Sequence, residues 1–406
     1  MTGWQLDESV AERVRRIKPS PSTTAANLAR ELRAQGRDIL DLTVGEPDAD
    51  TPEHIKQAAI AAITAGETKY TPVNGTPALR AAIIDKFLAR TGVRYRDHEV
   101  TVGGGAKQVI FMALTATVDD GAEVIVPAPY WVSYPDMVLA NDGAPVVVEC
   151  VEDNDFKLTP DALRAAITDR TRWVILNAPG NPTGAAYDAA ELRALADVLL
   201  QHPRLLVLTD EIYDEVWFGA EPVPHLVSVE PALRDRVLMV NGVSKTYAMT
   251  GWRLGYAAGP SWLITAINTL QSQSSSCPSS ISQAAAVAAL TGDQQFVADS
   301  VEIYRERKDL AVKLLGEVPG LTVRDPHGAF YLFINCGEFI GARTPKGDII
   351  RDDRDFTMYL IEEGGVATIH GGAYGASPYF RISFATSSDI LEQACERIGR
   401  ACAALS

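Results

Sequence analysis

The chain has 406 residues, of which 37 are Lys or Arg and 52 are Asp or Glu, so its formal net charge is −15. Apolar residues make up 47 % of the sequence, which excludes a disordered chain and is enough for a large buried core. The acidic balance argues against a nucleic-acid-binding surface, because contacts to phosphates need clustered Lys and Arg.

Further limits on the class of protein come from the length, the cysteines and the apolar runs. At about 100–200 residues per domain, the length predicts two or three domains, or one large and one small domain. The five cysteines are scattered and form no Cys-x-x-Cys motif, which favours reduced thiols over a disulfide framework. No apolar run approaches the roughly 18–20 residues of a membrane span, and the segment 1–19 lacks the apolar centre of a signal peptide. We therefore expect a cytoplasmic protein with no membrane partner.

The first hundred residues are predicted to contain three helices and one short strand. The first helix spans residues 25–36, and the strand spans residues 39–44 and ends at a Gly-Glu-Pro sequence. Two further helices are predicted over 52–65 and 76–91, because each of these segments has a proline near its start, as helices often do.

From about residue 100, continuous apolar strands alternate with helices, which is typical of a mostly parallel sheet covered on both faces. The predicted strands are 99–103, 123–127, 145–150, 173–177, 205–210, 236–241 and 254–258, with helices over 105–118 and 188–201. After about residue 300, a long charged helix precedes two strands, AFYLFIN and YFRISFA, of a different and smaller unit.

The sequence therefore predicts an α/β fold with two domains. The large domain, residues 48–300, is built on a mostly parallel seven-stranded sheet covered by helices. The smaller α+β domain combines residues 301–406 with the N-terminal segment, residues 1–47.

In such a sheet, ligands bind beyond the carboxyl ends of the strands, so the residues at those ends are the first candidates for a site. The strand that ends at Gly103 leads into Gly104-Gly105-Ala106-Lys107 and a helix. Backbone amides and a helix dipole suit this turn to a phosphate, although the same residues also fit a plain tight turn. A dinucleotide motif is excluded, because Gln108 stands at its third glycine.

Three other predicted strands end in groups that are unusual at such positions. Strand 173–177 leads into NAPGNPTG, in which two prolines would hold an asparagine amide rigidly, although the same residues also fit an ordinary Pro/Gly turn. Asp210 ends a largely apolar strand, where an unpaired carboxylate is costly to bury, although an aspartate there also fits a helix N-cap. Lys245 follows strand 236–241, and lysines made reactive by desolvation form Schiff bases. Arg253 comes eight residues later.

Together these groups match what an aldehyde cofactor with a phosphate and a ring nitrogen requires. The lysine supplies an imine, and the aspartate partners the protonated pyridine nitrogen. Arg253 and the glycine-rich turn would bind the phosphate. No metal site is predicted.

Eight segments resemble, in the same order, the class I/II aminotransferases of fold type I, which use pyridoxal 5′-phosphate. They are LDLTVGEPDADTP, ETKYTPVNGTPALR, PAPYWVSYPDM, NAPGNPTGAAY, LTDEIYDE, SKTYAMTGWRLGY, GAFYLFIN and YFRISFATS. Among these enzymes, the chain is most similar to bacterial aspartate aminotransferases of the subgroup that includes prephenate-accepting enzymes.

The resemblance implies an amino-group transfer between an amino acid and a 2-oxo acid such as 2-oxoglutarate. The amino donor would be aspartate, with aromatic amino acids or prephenate as further substrates. The reaction would follow a ping-pong aldimine/ketimine mechanism in a homodimer with shared active sites.

The resemblance also implies roles for individual residues. Lys245 would form the internal aldimine and shuttle a proton, and Asp210 would hold the proton of the ring nitrogen. Tyr213 and Asn181 would hydrogen-bond the phenolic oxygen of the ring, on whose face Trp131 would stack.

The remaining roles concern the phosphate and the substrate. Arg381 would bind the α-carboxylate of the substrate as a bidentate fork, with Gly45, Trp131 and Asn181 beside it. The groups implied for the phosphate are Arg253, the amides of Gly105, Ala106 and Lys107, and Tyr70 of the partner subunit.

Two positions depart from the pattern of the family. Many relatives have a phosphate-binding serine three residues before the lysine, where this chain has Gly242, so we expect fewer or shifted phosphate contacts. The arginine that binds the side-chain carboxylate in animal-type aspartate enzymes has no equivalent within residues 272–282.

The candidate replacement for that arginine is Lys18, on a polar N-terminal segment with Ser20, Ser22 and Thr23. A lysine binds a carboxylate as a point charge, with less geometric discrimination than a guanidinium. This predicts that the enzyme accepts both acidic and aromatic substrates.

Two alternatives share part of this pattern. Another enzyme of the same fold, such as a β-lyase or a decarboxylase, would use every cofactor residue named above. A cofactor-binding regulator without turnover agrees less well with the sequence, because Lys245 and Arg381 are both present and no basic DNA-binding region is appended.

Overall fold

The computed structural model describes residues 10–19 and 21–406 and contains one large sheet, one smaller sheet and a separate strand pair. The strands, in chain order, are β1 (Leu40–Asp41), β2 (Val100–Gly103), β3 (Glu123–Ala128), β4 (Ala144–Glu149), β5 (Thr171–Asn177), β6 (Leu206–Asp210), β7 (Val237–Gly242), β8 (Gly255–Ala258), β9 (Thr322–Val323), β10 (Tyr331–Asn335), β11 (Val366–Ala367), β12 (Ile369–His370) and β13 (Tyr379–Ser383).

Helices cover both sheets. They are α1 (Glu12–Arg15), α2 (Pro21–Ala34), α3 (Glu53–Thr64), α4 (Pro77–Thr91), α5 (Ala106–Thr117), α6 (Tyr134–Ala140), α7 (Pro160–Ala166), α8 (Ala189–Leu200), α9 (Leu226–Val229), α10 (Ser261–Ser274), α11 (Ser280–Thr291), α12 (Gln295–Gly316), α13 (Asp353–Tyr359) and α14 (Ser388–Ala403). Among the described residues, no helix combines the length and the apolar composition needed to cross a membrane.

The large sheet has seven strands in the order β2-β8-β7-β6-β5-β3-β4. All of them run in one direction except β8, which is antiparallel to both of its neighbours. Every predicted strand of this sheet is present, with ends within two residues of the prediction. The prediction of a mostly parallel seven-stranded sheet is therefore confirmed.

The direction of β8 has a consequence for the site. Gly255, its first residue, lies between Gly103 at the end of β2 and Gly242 at the end of β7. The residues just before β8 therefore reach the same edge of the sheet as the carboxyl ends of the parallel strands. In this way Arg253 joins the groups that follow β2, β6 and β7.

The smaller sheet has the order β12-β13-β10-β9 and is antiparallel. Its core is rich in buried phenylalanines, such as Phe330, Phe356 and Phe380, and it is distinct from the two apolar clusters on the faces of the large sheet. The strand predicted over 39–44 is reduced to β1, which pairs in parallel with β11 and so ties the N-terminal segment to the smaller unit.

The helices differ from the prediction in several places. No helix was predicted at the positions of α6, α7, α9, α13 and α14. The serine-rich stretch between residues 272 and 282 contains the end of α10 and the start of α11, although its composition gave no helix signal. Helix α12 begins at residue 295 and crosses the predicted domain boundary at residue 300. The boundaries themselves stay a prediction.

Candidate active site

A cavity of about 260 Å³ lies between the carboxyl edge of the large sheet and the smaller sheet. The predicted site residues that line it are Gly45, Ala106, Lys107, Trp131, Asn181, Asp210, Tyr213, Lys245, Arg253 and Arg381. Residues that follow different strands of the large sheet thus meet Arg381 of β13 in one space.

Lys245 lies three residues beyond β7 and points into this cavity. Its Nζ donates a hydrogen bond to the backbone carbonyl oxygen of Gly45. Desolvation by the surrounding protein lowers the pKa of the Lys245 ammonium to about 8, against the attraction of Glu46 and with the help of the positive charge of Arg381. A lysine with such a pKa is partly neutral near neutral pH, as a nucleophilic amine has to be.

Asp210 ends β6 and is buried beneath the cavity. One carboxylate oxygen, Oδ2, accepts a hydrogen bond of 2.6 Å from the hydroxyl of Tyr134, while Oδ1 has only the amide of Ile212 at 3.4 Å. Burial raises the pKa of Asp210 to about 6, and the bond from Tyr134 opposes this rise. The carboxylate is therefore desolvated and only partly satisfied by the protein.

Arg253 stands at the outer end of the cavity, next to the start of α5. Its backbone is left-handed, with φ of 52°, and its Nη1 donates to the carbonyl of Thr250 at 2.7 Å. Gly105 has a φ of 102°, which side chains rarely allow, and a Cβ there would begin 2.7 Å from the guanidinium. The guanidinium and the glycine-rich turn are thus in direct proximity.

The backbone amides of this turn have different partners. The amide of Gly105 donates to the carbonyl of Gly103 at 2.8 Å. Ala106 and Lys107 begin α5, and the first amides of a helix have no partner within it. The amides of Ala106 and Lys107 are therefore the ones that a bound anion would meet, at the positive end of the helix dipole.

Arg381 is buried on β13, opposite Phe333 of β10. Its Nη1 donates to the side-chain oxygen of Asn181 at 3.0 Å, and its Nη2 donates to the carbonyl of Thr43. Its Nε is buried and has no hydrogen-bond partner among the described residues. The guanidinium lies over the ring of Tyr331, 4.4 Å from the ring centre.

The charges of the cavity are strongly unbalanced. None of the ion pairs found among residues 10–19 and 21–406 involves its four cations, which are Lys107, Lys245, Arg253 and Arg381. Asp210 is the carboxylate that lines the same space. Arg381 is buried and Lys245 is partly buried, whereas Lys107 and Arg253 are exposed. Because a buried cation without a counter-ion is costly, this arrangement is typical of a site that binds anionic groups.

Trp131 forms one wall of the cavity. Its ring packs edge-to-face on Tyr134, with centroids 5.2 Å apart. The Nζ of Lys107 lies 4.6 Å from the centre of the Trp131 ring and donates to the hydroxyl of Ser133 at 3.2 Å. Desolvation, with the charge of Arg253, lowers the pKa of Lys107. The Lys107 side chain is thus part of the cavity, whereas the sequence analysis considered its amide only.

Three predicted residues do not line the cavity. Gly105 lies just behind Arg253. Tyr70 is 89 % exposed on the surface of this subunit. Lys18 is exposed, and its backbone amide donates to the carboxylate of Asp136 at 3.3 Å. Of its polar neighbours, Thr23 is exposed, and Ser20 and the side chain of Ser22 lie outside the described part of the chain.

Sequence reasoning missed two tyrosines. Tyr134 donates to Asp210, and the hydroxyl of Tyr331 lies 2.7 Å from that of Tyr213. Both belong to segments that carry the family resemblance, PAPYWVSYPDM and GAFYLFIN. That location was the available signal, but an aromatic residue in an apolar run gives no sign of where its hydroxyl points.

Comparisons with known proteins show the family of this chain. The family model for aminotransferases of class I and II matches residues 37–398. An aspartate/prephenate aminotransferase of Cereibacter sphaeroides is 51 % identical, and the similarity covers 98 % of this chain and 99 % of that protein.

Two solved structures have the same fold over nearly the whole chain. The aspartate aminotransferase of Rhizobium meliloti superposes with a TM-score of 0.96 at 48 % identity, over 98 % of this chain and 100 % of that one. The aspartate aminotransferase of Thermus thermophilus, solved with maleate, gives a TM-score of 0.90 at 39 % identity, over 97 % and 100 %. This chain therefore belongs to the aminotransferases of class I and II, enzymes that transfer amino groups between amino acids and oxo acids.

Proposed function

We propose that the chain binds pyridoxal 5′-phosphate covalently at Lys245 and transfers amino groups between acidic amino acids and 2-oxo acids. The observation that carries this proposal is the charge pattern of the cavity, in which one buried carboxylate and four unpaired cations line a single space. A phosphate, a ring that binds a proton, and a substrate carboxylate would each find a group of the opposite charge.

The fit to this cofactor can be tested on atoms that the protein leaves unsatisfied. Oδ1 of Asp210 has one long contact only, and the amides of Ala106 and Lys107 begin a helix. Nε of Arg381 is buried without a partner among the described residues. A protonated ring nitrogen, a phosphate and a carboxylate would satisfy these atoms, so the residues fit the group.

The cofactor, when bound, supplies a carbonyl carbon that bonds to amines and a ring that accepts the electron pair left when a Cα–H bond breaks. The residues of the cavity would bind and orient the cofactor. Arg253 and the amides of Ala106 and Lys107 would hold the phosphate, at the exposed end of the cavity. Trp131 would cover one face of the ring, and Tyr213 and Asn181 would bind its phenolic oxygen.

Two residues would manage protons. Asp210, held by Tyr134, would keep the ring nitrogen protonated, because a desolvated carboxylate gains most from an adjacent positive charge. Lys245 would take the proton from the substrate Cα and deliver it to the former carbonyl carbon of the cofactor. Its pKa of about 8 lets it serve as both base and acid near neutral pH.

Arg381 would bind the α-carboxylate that all amino acid substrates share. Its guanidinium is held in place by Asn181, by the carbonyl of Thr43 and by the ring of Tyr331. Because these contacts fix it before the substrate arrives, binding would orient the substrate with little loss of side-chain entropy. The buried inner end of the cavity would also exclude water from the reacting atoms.

The side chain of the substrate would meet Lys107. Three of the four cations in the cavity have proposed partners: Lys245 would carry the cofactor, Arg253 would bind the phosphate and Arg381 would bind the α-carboxylate. The remaining cation is the ammonium of Lys107, which lies over the ring of Trp131. A flexible ammonium beside an aromatic wall suits both carboxylate and aromatic side chains. Relatives named aspartate/prephenate aminotransferase support such a range of substrates.

We also propose a homodimer in the cytoplasm. Tyr70 is an exposed aromatic residue, and Ile60 and Ile63 on α3 are also half-exposed, as expected of a surface that a second subunit covers. In the dimer, Tyr70 of the partner subunit would reach the exposed phosphate end of the site. The five cysteines are free thiols, which agrees with a reducing compartment.

The first prediction concerns covalent attachment. Reduction of the loaded enzyme with borohydride, followed by peptide mapping, should place the cofactor on Lys245. The Lys245→Ala variant should lose turnover by several orders of magnitude, because it lacks both the amine nucleophile and the proton shuttle. A label on Lys107, the other lysine of the cavity, would contradict the assignment.

The second prediction concerns Asp210 in the cofactor-free protein. Its pKa in the folded state, about 6, lies above the ordinary value of 3.8, so the ionised carboxylate destabilises the fold at high pH. At about pH 8, Asp210→Asn should therefore be more stable to urea than the parent, by about 1–3 kcal/mol. This advantage should shrink as the pH falls from about 6 to about 4.

The cofactor should stabilise the parent more than the variant. Pyridoxal phosphate should raise the urea midpoint of the parent more than that of Asp210→Asn, because only the carboxylate pairs with a protonated ring. Equal gains for the two proteins would show that Asp210 is a helix-capping or structural residue and not the partner of the ring.

The third prediction separates the two lysines proposed for substrate recognition. Lys107→Met should lower kcat/KM for aspartate about 10–100-fold, the loss expected for hydrogen bonds to a charged group, and leave phenylalanine nearly unaffected. Lys18→Met should change neither by more than about twofold, because an exposed charge outside the cavity contributes little. If Lys18→Met lost activity with aspartate and Lys107→Met did not, Lys18 would be the residue that binds the side-chain carboxylate.

The fourth prediction concerns shared sites. Lys245→Ala and Tyr70→Ala subunits, each weakly active alone, should regain activity when mixed and re-associated. A hybrid dimer would have one site with both residues intact, so about a quarter of all sites should recover if exchange is random. Unmixed samples put through the same re-association serve as controls, and no recovery would show that each site is complete within one subunit.

A further inference from the structure

Tyr331 contacts three groups of the proposed active site. Its hydroxyl lies 2.7 Å from the hydroxyl of Tyr213, and its ring centre lies 4.4 Å from the guanidinium carbon of Arg381. A side chain at Gly45 would begin 2.6 Å from the Tyr331 hydroxyl, so the tyrosine also packs on the backbone segment that accepts the bond from Lys245. Tyr331 is buried, with 1 % of its surface exposed.

The two hydroxyls have a defined hydrogen-bond direction once the site is loaded. Among the described residues, neither Tyr213 nor Tyr331 has another hydrogen-bond partner for its hydroxyl. Each hydroxyl has one proton to donate. If Tyr213 donates to an oxygen in the cavity, the bond between the two tyrosines requires Tyr331 as donor.

The charge of Arg381 favours the same direction. Burial raises the pKa of both hydroxyls, and the charge of Arg381 opposes this rise at each of them. At Tyr331 this charge is the largest effect after burial, because the guanidinium lies over that ring, 4.4 Å from its centre. Tyr331 is therefore the better donor of the two, and it is a better donor while Arg381 has no anionic partner.

We propose that Tyr331 is a positioning residue that transmits the charge state of the Arg381 site to Tyr213, and through Tyr213 to the bound cofactor. This inference rests on the proposed function. A substrate carboxylate that neutralises Arg381 makes Tyr331 a weaker donor. Tyr213 then donates less strongly, because hydrogen bonds in a chain polarise one another.

The expected consequence is a change in proton affinity at the lysine–cofactor linkage. A donor to the phenolic oxygen of the ring withdraws electron density from the neighbouring linkage nitrogen and lowers its proton affinity. Weaker donation raises it, so the linkage accepts a proton when a carboxylate binds Arg381. This proton comes from the ammonium of the incoming substrate, whose amine then becomes a nucleophile.

The charged groups that face Lys245 and Tyr213 from the surrounding elements are Glu46, Asp210, Arg253 and Arg381. Arg381 is the group that maleate would neutralise, and the other three are the same in the parent and in the variant. Asn181, which accepts from Arg381 at 3.0 Å, offers a second route between that arginine and the ring. Loss of the Tyr331 hydroxyl should therefore reduce the coupling without abolishing it.

The test is a pH titration of the visible absorbance of the loaded enzyme, with and without maleate as a dicarboxylate that has no amine. Tyr331→Phe keeps the ring over Arg381 and removes the hydroxyl. Without maleate, its titration midpoint should lie about 0.4–1 pH unit above that of the parent, the equivalent of one hydrogen bond. The rise that maleate causes should be smaller in the variant than in the parent.

Tyr304→Phe is the matched control. Tyr304 is a buried tyrosine of the same apolar cluster, packed on Phe330 at 5.5 Å, and its hydroxyl does not line the cavity. Both of its midpoints should equal those of the parent. A change as large as that of Tyr331→Phe would mean that the midpoint reports general packing, and it would overturn the inference.

A double variant shows whether Tyr331 acts through Tyr213. Tyr213→Phe should raise the midpoint, and adding Tyr331→Phe should change it no further. Additive shifts, or an unchanged midpoint in Tyr331→Phe, would overturn the inference. If Tyr331→Phe fails to fold or to load, 3-fluorotyrosine at position 331 replaces it, and its more acidic hydroxyl should lower the midpoint.

These outcomes are distinct from a failure of the proposed function. If the parent protein gains no titrating absorbance band with pyridoxal phosphate, the cofactor assignment itself is wrong. If the absorbance of the loaded parent titrates and responds to maleate, and Tyr331→Phe behaves identically, the result supports the proposed function but contradicts the role of Tyr331.

Discussion

The parallel pairing of β6 with β7 is the constraint on which the site depends. Asp210 is paired with Val240 across these strands, so the end of β6 and the segment that carries Lys245 emerge side by side. Backbone hydrogen bonds in the centre of a buried sheet set this arrangement and thereby fix the relative positions of the side chains. A carboxylate and an amine are thereby fixed on one edge, close together without forming an ion pair.

The cost of this arrangement lies in electrostatics. Burial raises the pKa of Asp210 and lowers that of Lys245, so each group is less stable in its charged form than it would be in water. Arg381 adds a third buried charge whose partners are an amide oxygen, a carbonyl and a ring. The protein alone leaves these charges uncompensated, which is expected where ligands supply the missing partners.

The residues at the two ends of the site come from different units. The outer end, with Arg253 and the start of α5, belongs to the large sheet, whereas Arg381 and Tyr331 come from the smaller one. The pair of hydroxyls on Tyr213 and Tyr331 is a polar contact between these units. A ligand that binds Arg381 therefore acts on both sides of the cavity.

The sequence by itself determined the central sheet and most of the site. Apolar runs of strand length, separated by helix signals, located all seven strands of the large sheet, because a strand buried on both faces has a pattern that local composition reveals. The rule for carboxyl ends then singled out Asp210, Lys245 and the turn before α5. The helices α10 and α11 were missed, since their serine-rich junction resembles a loop. Their stability depends on tertiary packing, of α10 against α5 and β2 and of α11 against α3 and α4.

Tertiary structure alone decided the contacts between distant segments. The bond from Tyr134 to Asp210 joins residues 76 positions apart, and Arg381 meets Asn181 across 200 positions. The side chain of Lys107 lines the cavity while Lys18 lies outside it. Hydropathy and spacing report which residues are buried, but the direction of a buried hydroxyl or ammonium depends on which other elements pack against it. That information exists only once the smaller unit has closed over the edge of the sheet.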